Sequence, residues 1–144
     1  MRRARRMQAG AAAVMLAVAL AGCGSTAKSR YVSQLNKMCE DFARRQHEIT
    51  ADNDLRARGD RIAAAYEQAI ATPIEQLQAP PEIAPQARQL REVTRRQSNI
   101  LRALANAGKT GDVARVQQLA AVNQQLNSHA AQIAGDLNAK SCAS

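Results

Sequence analysis

The chain has 144 residues, which is room for one domain of ordinary size. Its apolar share of 46% comes mainly from Ala, Leu, Ile and Val, and its only aromatic residues are Tyr31, Phe42 and Tyr66. The net charge is +8, but four of the 20 basic residues lie in the first 22 positions, which leaves 16 basic and 12 acidic side chains, or +4, for the rest. Because single-strand binders stack bases on aromatic rings, we expect no nucleic-acid partner.

The N-terminal segment has the pattern of an export signal. Met1–Arg6 is basic, and the apolar stretch Ala9–Ala21 is as long as a signal-peptide core. This stretch is shorter than the roughly 20 residues that a permanent transmembrane helix needs. An ordinary secretory signal and an uncleaved anchor are the alternatives to the interpretation that follows.

The segment ends in Leu20-Ala21-Gly22-Cys23, which resembles the lipobox of bacterial lipoproteins. The resemblance implies a diacylglyceryl group on the Cys23 sulfur, cleavage between Gly22 and Cys23, and acylation of the new amino group. Residues 1–22 are then a signal peptide that is removed, 23–28 the lipidated cysteine and a flexible tether, and 29–144 the folded domain. Two or three acyl chains hold a protein on a membrane stably, so we expect a lipid-anchored protein that faces the periplasm or the cell exterior.

The first predicted helix covers Ser29–Thr50, because one face repeats at spacings of three and four residues. That face consists of Val32, Leu35, Cys39, Phe42, Gln46 and Ile49. The polar run Ala51-Asp52-Asn53-Asp54 ends the helix, and Asp54 or Asp52 is expected to cap the next one.

The second predicted helix covers Leu55–Gln78, with Ile62, Tyr66, Ala69, Pro73 and Leu77 along one side. A proline inside a helix removes a hydrogen bond and kinks the axis. We therefore expect a bend near Ala69–Pro73, and a stop at Ala79-Pro80-Pro81.

Two further helices are predicted in the C-terminal half. The third covers Ile83–Ala107 and is expected to close at Gly108, since glycine accepts the left-handed conformation at a helix end. The fourth covers Asp112–Asn138, with the Asp112 carboxylate as its N-cap. No segment shows the alternating pattern of a strand.

The fold class that follows is all-α, an antiparallel up-down-up-down four-helix bundle with a kinked second helix. In such a bundle the end of the fourth helix lies beside the start of the first. Cys39 and Cys142 occupy these two places, and disulfides persist in an oxidising compartment. We therefore predict a Cys39–Cys142 disulfide, with a free or redox-active Cys39 as the alternative.

The mature part is also similar to a loose group of small lipoproteins from high-GC bacteria. The shared features are Tyr31 before Cys39, a proline corner at Ala79-Pro80-Pro81-Glu82, the turn Gly111-Asp112, and Cys142 near the end. These features are structural, and the resemblance implies a disulfide-stapled helical domain but no activity.

Several short motifs suggest chemistry but lack a required part. His47-Glu48 begins like a zinc-protease helix, yet Ala51 stands where the second histidine must be. Gly108-Lys109-Thr110 resembles the end of a phosphate loop, but it follows a helix rather than a strand. Arg58-Gly59-Asp60 matches an adhesion tripeptide inside a predicted helix. We therefore predict no catalytic residue, no metal site and no cofactor.

His47 and His129 lie on helices that should be neighbours, but at different heights along the bundle axis, so we expect no shared metal or haem site. Gln46, Gln97 and Asn123 interrupt the apolar seams and are expected to form a small hydrogen-bonded layer.

The function that we predict is a non-enzymatic, membrane-anchored interaction or envelope-structural module with an envelope protein as partner. The alternative is a small-ligand or metal- or haem-binding lipoprotein. Its site would be a groove that is opened by the Pro73 kink and lined by the seam amides.

Overall fold

The computed structural model describes residues 26–51 and 54–143, with the backbone alone for residues 55 and 56. Helices account for nearly all of this part of the chain, and it contains no strand. Four main helices are present: α1 (Ala27–Ala51), α2 (Leu55–Tyr66, continued by Glu67–Ala71 and Thr72–Gln76), α3 (Ala84–Thr110) and α4 (Val113–Asp136). Short 3-10 turns at Pro81–Ile83 and Lys140–Cys142 precede α3 and follow α4. The predicted all-helical fold with four helices is confirmed.

Helix α1 begins where the side chain of Thr26 accepts a hydrogen bond from the Ser29 amide at 3.1 Å, as an N-cap residue does. Its inner face buries Tyr31, Leu35 and Ile49. Gln46 was expected to share that buried face, but it is exposed. The prediction is wrong at this position because α1 has no close neighbour on that side of its second half, as described below.

Helix α2 begins at the predicted cap, where Asp54 Oδ1 accepts a hydrogen bond from the Ala57 amide at 3.0 Å. From Glu67 to Ala71 the helix is π-wound, and the Thr72 amide donates to the carbonyl of Glu67 five residues earlier. Pro73 is the second residue after this turn. Proline has no amide hydrogen, and in a regular α-helix its ring collides with the carbonyl four residues before it. A wider turn before Pro73 relieves this collision. The region of the predicted bend thus contains a π-helical turn.

The turn between α3 and α4 corrects one prediction. Gly108 was expected to end the third helix, but α3 continues to Thr110, and Gly111 ends it with a left-handed φ of 70°. The Asp112 amide donates to the Ala107 carbonyl at 3.0 Å, which completes a Schellman-type closure. Asp112 then caps α4 as predicted, because its Oδ1 accepts from the Arg115 amide at 2.9 Å.

The helices pack around two clusters of apolar residues. The larger is buried between the first half of α1, the end of α2, the start of α3 and the second half of α4, and includes Tyr31, Leu35, Ile74, Leu90, Ile133 and Leu137. The smaller gathers Tyr66, Ala69, Ile70 and Ala71, with Phe42 and Leu101 packed on it.

The helices do not all pack equally closely. Helix α3 lies against both α2 and α4, whereas α1 contacts α2 and the C-terminal 3-10 turn and has few contacts with α4. The predicted disulfide is present: Cys39 and Cys142 are bonded, with their Cα atoms 5.3 Å apart. The C-terminal turn therefore connects α1 to the end of α4, and beyond it the seam between α1 and α4 stays open.

Candidate functional site

A cavity of about 240 Å³ lies in the open seam between α1 and α4. Its apolar wall is formed by residues from the first three helices, namely Leu35, Met38, Phe42, Ile70, Ile74 and Leu90. Ala43 and Gln46 on α1 and Asn127 and Ala130 on α4 border it on the two sides of the seam. Every residue that lines the cavity is uncharged, although the chain carries 20 basic and 12 acidic residues.

Polar side chains from α2, α3 and α4 form a connected layer at the cavity. The Tyr66 hydroxyl donates a hydrogen bond of 2.8 Å to Gln97 Oε1. The Gln97 amide group in turn reaches Asn127 Oδ1 at 3.5 Å, which is long for a hydrogen bond. Thr94 donates to the carbonyl of Leu90 at 2.6 Å, one turn earlier in α3. Tyr66, Thr94 and Gln97 are all buried, so this layer is fixed by the surrounding core.

The two aromatic rings of this region support each other. Phe42 and Tyr66 meet edge to face, with ring centroids 5.2 Å apart and an angle of 87° between the planes. Burial raises the pKa of the Tyr66 phenol well above its usual value, and the nearby Glu67 carboxylate raises it further. The hydroxyl therefore stays protonated and keeps donating to Gln97.

The disulfide forms one end of the cavity, since both Cys39 and Cys142 line it. The turn that carries Cys142 is held to α1 by a second attachment, in which the Ser141 amide donates to Asn36 Oδ1 at 3.0 Å. Ser141 also bonds to Glu40 through its hydroxyl at 2.8 Å. Cys142 is thus fixed to α1 by covalent and polar contacts together.

The predicted polar layer is confirmed in part. Gln97 is buried and hydrogen-bonded, as expected. Gln46 is exposed and only borders the cavity. Asn123 is half-buried and does not line the cavity, and its Oδ1 is buried without a protein partner. Tyr66 and Asn127 were missed as members of the layer. Asn127 could have been found, because it lies four residues after Asn123 and so on the same face of α4.

The other candidate residues lie apart from this site. His47 and His129 are exposed and do not line the cavity. Across residues 26–51 and 54–143, no three His, Cys, Asp or Glu side chains are grouped so that they could hold a metal ion. The same part of the chain contains no helix long and apolar enough to cross a membrane. Gly22 and Cys23, the predicted cleavage and lipidation residues, lie outside the described residues.

Comparison of the chain with protein-family models, with curated proteins and with solved structures finds no match.

Proposed function

We propose that this protein is a lipid-anchored, non-enzymatic module of the cell envelope, attached to a membrane through acyl chains on Cys23. The observation that carries the proposal is the order of features along the chain: a basic segment, an apolar segment, Leu20-Ala21-Gly22-Cys23 and then a folded helical domain. Proteins with this order are exported, cleaved and acylated at the cysteine.

Helix α1 begins close to Cys23 in the sequence, which limits how far the bundle can lie from the membrane. Ala27 is only four residues after Cys23. An extended chain spans at most about 3.6 Å per residue, so roughly 14 Å at most separates the two Cα atoms. Acyl chains on Cys23 would therefore hold the bundle against the membrane surface, and a partner protein would have to be reachable there.

The exposed faces are suited to polar contacts. Charged side chains form ion pairs at the surface, such as Arg95 with Glu75 at 2.7 Å and Lys109 with Asp60 at 2.6 Å. Val113 is an exposed large hydrophobic residue, with 67% of its surface accessible. An envelope partner would accordingly be recognised mainly through hydrogen bonds and charges around a small apolar contact.

The partner is tested by cross-linking in intact cells, followed by purification of the full-length lipoprotein from membranes. The matched control is an unrelated folded domain fused after residues 1–28, since it has the same signal, lipobox and tether. We expect an envelope protein to be enriched with the full-length chain over the control. Recovery of the same proteins with both baits in repeated experiments contradicts the interaction role.

We also propose that the four helices alternate in direction as an up-down-up-down bundle. The proposal is supported by the short breaks on either side of α2 and α3 and by the position of the C-terminal turn beside Asn36. A spin label at exposed Arg30 should then broaden the amide NMR signals around Asp136 and leave those around Arg115 sharp. The opposite pattern contradicts the topology.

The cavity between α1 and α4 favours a second candidate function, the binding of a small ligand. The two histidines lie outside the cavity, so a haem or metal ion would find no imidazole ligand there, and an organic molecule is the better match. Native mass spectrometry of the protein purified from its host tests this. A retained small molecule supports ligand binding, and a mass equal to that of the acylated chain alone argues against it.

A further inference from the structure

We infer that the cavity between α1 and α4 binds a neutral, ring-sized organic molecule whose hydrogen-bond acceptor faces the amide group of Gln97. This inference rests on the second candidate function, that the bundle binds a small ligand. It specifies the size, the charge and the orientation of that ligand.

The size follows from the cavity volume. An apolar cavity of about 150 Å³ holds benzene, and the volume here is about 240 Å³. One aromatic or saturated ring with a short substituent fits this space, whereas a haem or an extended acyl chain does not. The apolar wall of Met38, Phe42, Ile70 and Leu90 would cover the faces of the ring.

The charge follows from the lining. Of the residues that line the cavity, only Tyr66 can ionise, since Cys39 and Cys142 are disulfide-bonded, and burial keeps the phenol of Tyr66 protonated. A carboxylate or an ammonium group would lose part of its water on entry and gain no opposite charge in return. Such a transfer is strongly unfavourable without a paired charge, so the cavity selects against ions.

The orientation follows from the hydrogen bonds of Gln97. The residue is 6% exposed, and its Oε1 accepts the hydrogen bond of the Tyr66 hydroxyl. That bond fixes which end of the amide is the donor. The NH₂ group can donate two hydrogen bonds, and the contact found for it is the long one to Asn127. A buried donor with spare capacity is best satisfied by an acceptor on the ligand.

The entrance lies between small residues. Ala43 is exposed on α1 and Ala130 is half-buried on α4, and both border the cavity. A larger side chain at exposed Ala43 would narrow the opening without entering the core, whereas Ala130 packs against the larger apolar cluster. Ala43 is the better position for a test, because alanine and leucine are both good helix formers and an exposed substitution there leaves the fold undisturbed.

The test uses the mature acylated protein in lipid nanodiscs and three probes of the same size: benzamide, acetophenone and benzoate. The first two are neutral and carry a carbonyl acceptor, and the third is an anion. Binding is followed by the aromatic NMR signals of Phe42 and Tyr66, which are readily assigned because the chain has one Phe and two Tyr. We expect both neutral probes to shift these signals and benzoate to bind at least about tenfold more weakly.

Two variants locate the binding. Ala43→Leu should reduce the affinity for benzamide at least about tenfold, while Ala121→Leu, an exposed alanine on α4 that does not line the cavity, should leave it unchanged. Because both variants are measured in identical nanodiscs, partition of the probe into lipid cancels. Equal loss in both variants, or in neither, overturns the assignment to this cavity.

The possible results distinguish the predicted class of ligand from the proposal that the protein binds a small ligand at all. Benzoate binding as tightly as benzamide overturns the neutral class and leaves ligand binding intact. Failure of all three probes, with a small molecule retained in the native mass spectrum, likewise overturns the class alone. Failure of all three probes together with a clean protein mass overturns both.

Discussion

The two buried tyrosines have opposite hydrogen-bond environments, and this difference leads to the first prediction. The Tyr66 hydroxyl donates to Gln97, whereas the Tyr31 hydroxyl is buried without a protein partner. Tyr66→Phe leaves Gln97 Oε1 buried without a donor and should lower the free energy of unfolding by about 1–2 kcal/mol. Tyr31→Phe removes a buried polar group that is already unsatisfied, so it should be neutral or stabilise the protein by up to about 1 kcal/mol.

Urea unfolding at neutral pH measures both changes, and each variant is the control for the other because the same atom is removed. If the two substitutions destabilise the protein equally, the hydrogen-bond assignment of Tyr66 is wrong.

The same tyrosines predict how stability changes at alkaline pH. Burial raises the pKa of both phenols, for Tyr31 against the opposing effect of the Arg91 charge. In the unfolded chain a tyrosine ionises near pH 10. The folded state then binds more protons than the unfolded state, so stability is fully present below about pH 10 and falls as the pH rises further. Each tyrosine contributes a loss of at most about 1.4 kcal/mol per pH unit.

Unfolding midpoints measured between about pH 9 and pH 11 test this prediction. Tyr66→Phe should lose less stability over that range than the unmodified chain does. A loss of the same size in both proteins means that the Tyr66 phenol is not protected from ionisation by the fold.

At the residue scale the sequence predicted some members of the polar layer and missed others. Gln97 was found because it interrupts an apolar seam on a helix with neighbours on both sides. Gln46 was assigned wrongly by the same rule, because periodicity identifies a helix face and cannot tell whether another helix covers it. Tyr66 was placed on the apolar face of its helix, and the pattern did not indicate that its hydroxyl donates a hydrogen bond to Gln97.

The glycines around the end of α3 provide a prediction at the scale of the element. Gly111 has a φ of 70°, where a side chain is strained. Gly108 lies within the helix, and a Cβ there would meet no atom within 4 Å. Gly111→Ala should therefore destabilise the protein by about 1 kcal/mol, while Gly108→Ala should stabilise it by about 0.5–1 kcal/mol.

Thermal unfolding of the two variants measures the signs, which should be opposite. Reversed signs would mean that α3 ends at Gly108, as the sequence pattern first suggested.

The sequence predicted the number and the approximate positions of the helices, but not all of their ends. Four helices appear near their expected positions because spacings of three and four residues persist through each segment. Asp54 and Asp112 cap helices as expected, since a carboxylate accepts the free amides at a helix start. Either Gly108 or Gly111 could end α3 by its residue type alone. Only the backbone conformation, a left-handed φ at Gly111, shows which one does. Pro73 predicted a disturbance in α2, but its form, a π-helical turn from Glu67 to Ala71, required the structure.

For the molecule as a whole, the disulfide is a covalent constraint between distant parts of the chain. Cys39 and Cys142 are 103 residues apart, and a closed loop of about 100 residues contributes about 4.7 kcal/mol in the chain-entropy model. The double variant Cys39→Ala, Cys142→Ala should therefore unfold at a much lower urea concentration. Unmodified protein treated with reductant should show the same loss, and the double variant should be insensitive to reductant. A small effect in both experiments would indicate that polar contacts such as Ser141 to Asn36 hold the turn by themselves.

The disulfide could be predicted in full from the sequence, and the cavity only in part. The two cysteines can pair because the end of α4 lies near the first half of α1. The number of helices and the short turns between them, both visible in the sequence, lead to that expectation. The cavity depends on how closely α1 approaches α4, which is set by the summed packing of the whole bundle. A groove was expected at the Pro73 kink, lined by the seam amides. The cavity shares Gln46 and Gln97 with that expectation, but it lies along the α1–α4 seam, with Ile70 and Ile74 from α2 in its wall.

Intact-mass spectrometry of the protein extracted from its native membrane, with and without reductant, tests both the lipid anchor on Cys23 and the disulfide. We expect a chain that begins at Cys23, carries two or three acyl chains, and gains two hydrogens on reduction as the Cys39–Cys142 bond opens. A chain that begins at Met1, or one that starts at Cys23 without acyl groups, would contradict the proposal of a lipid-anchored helical module.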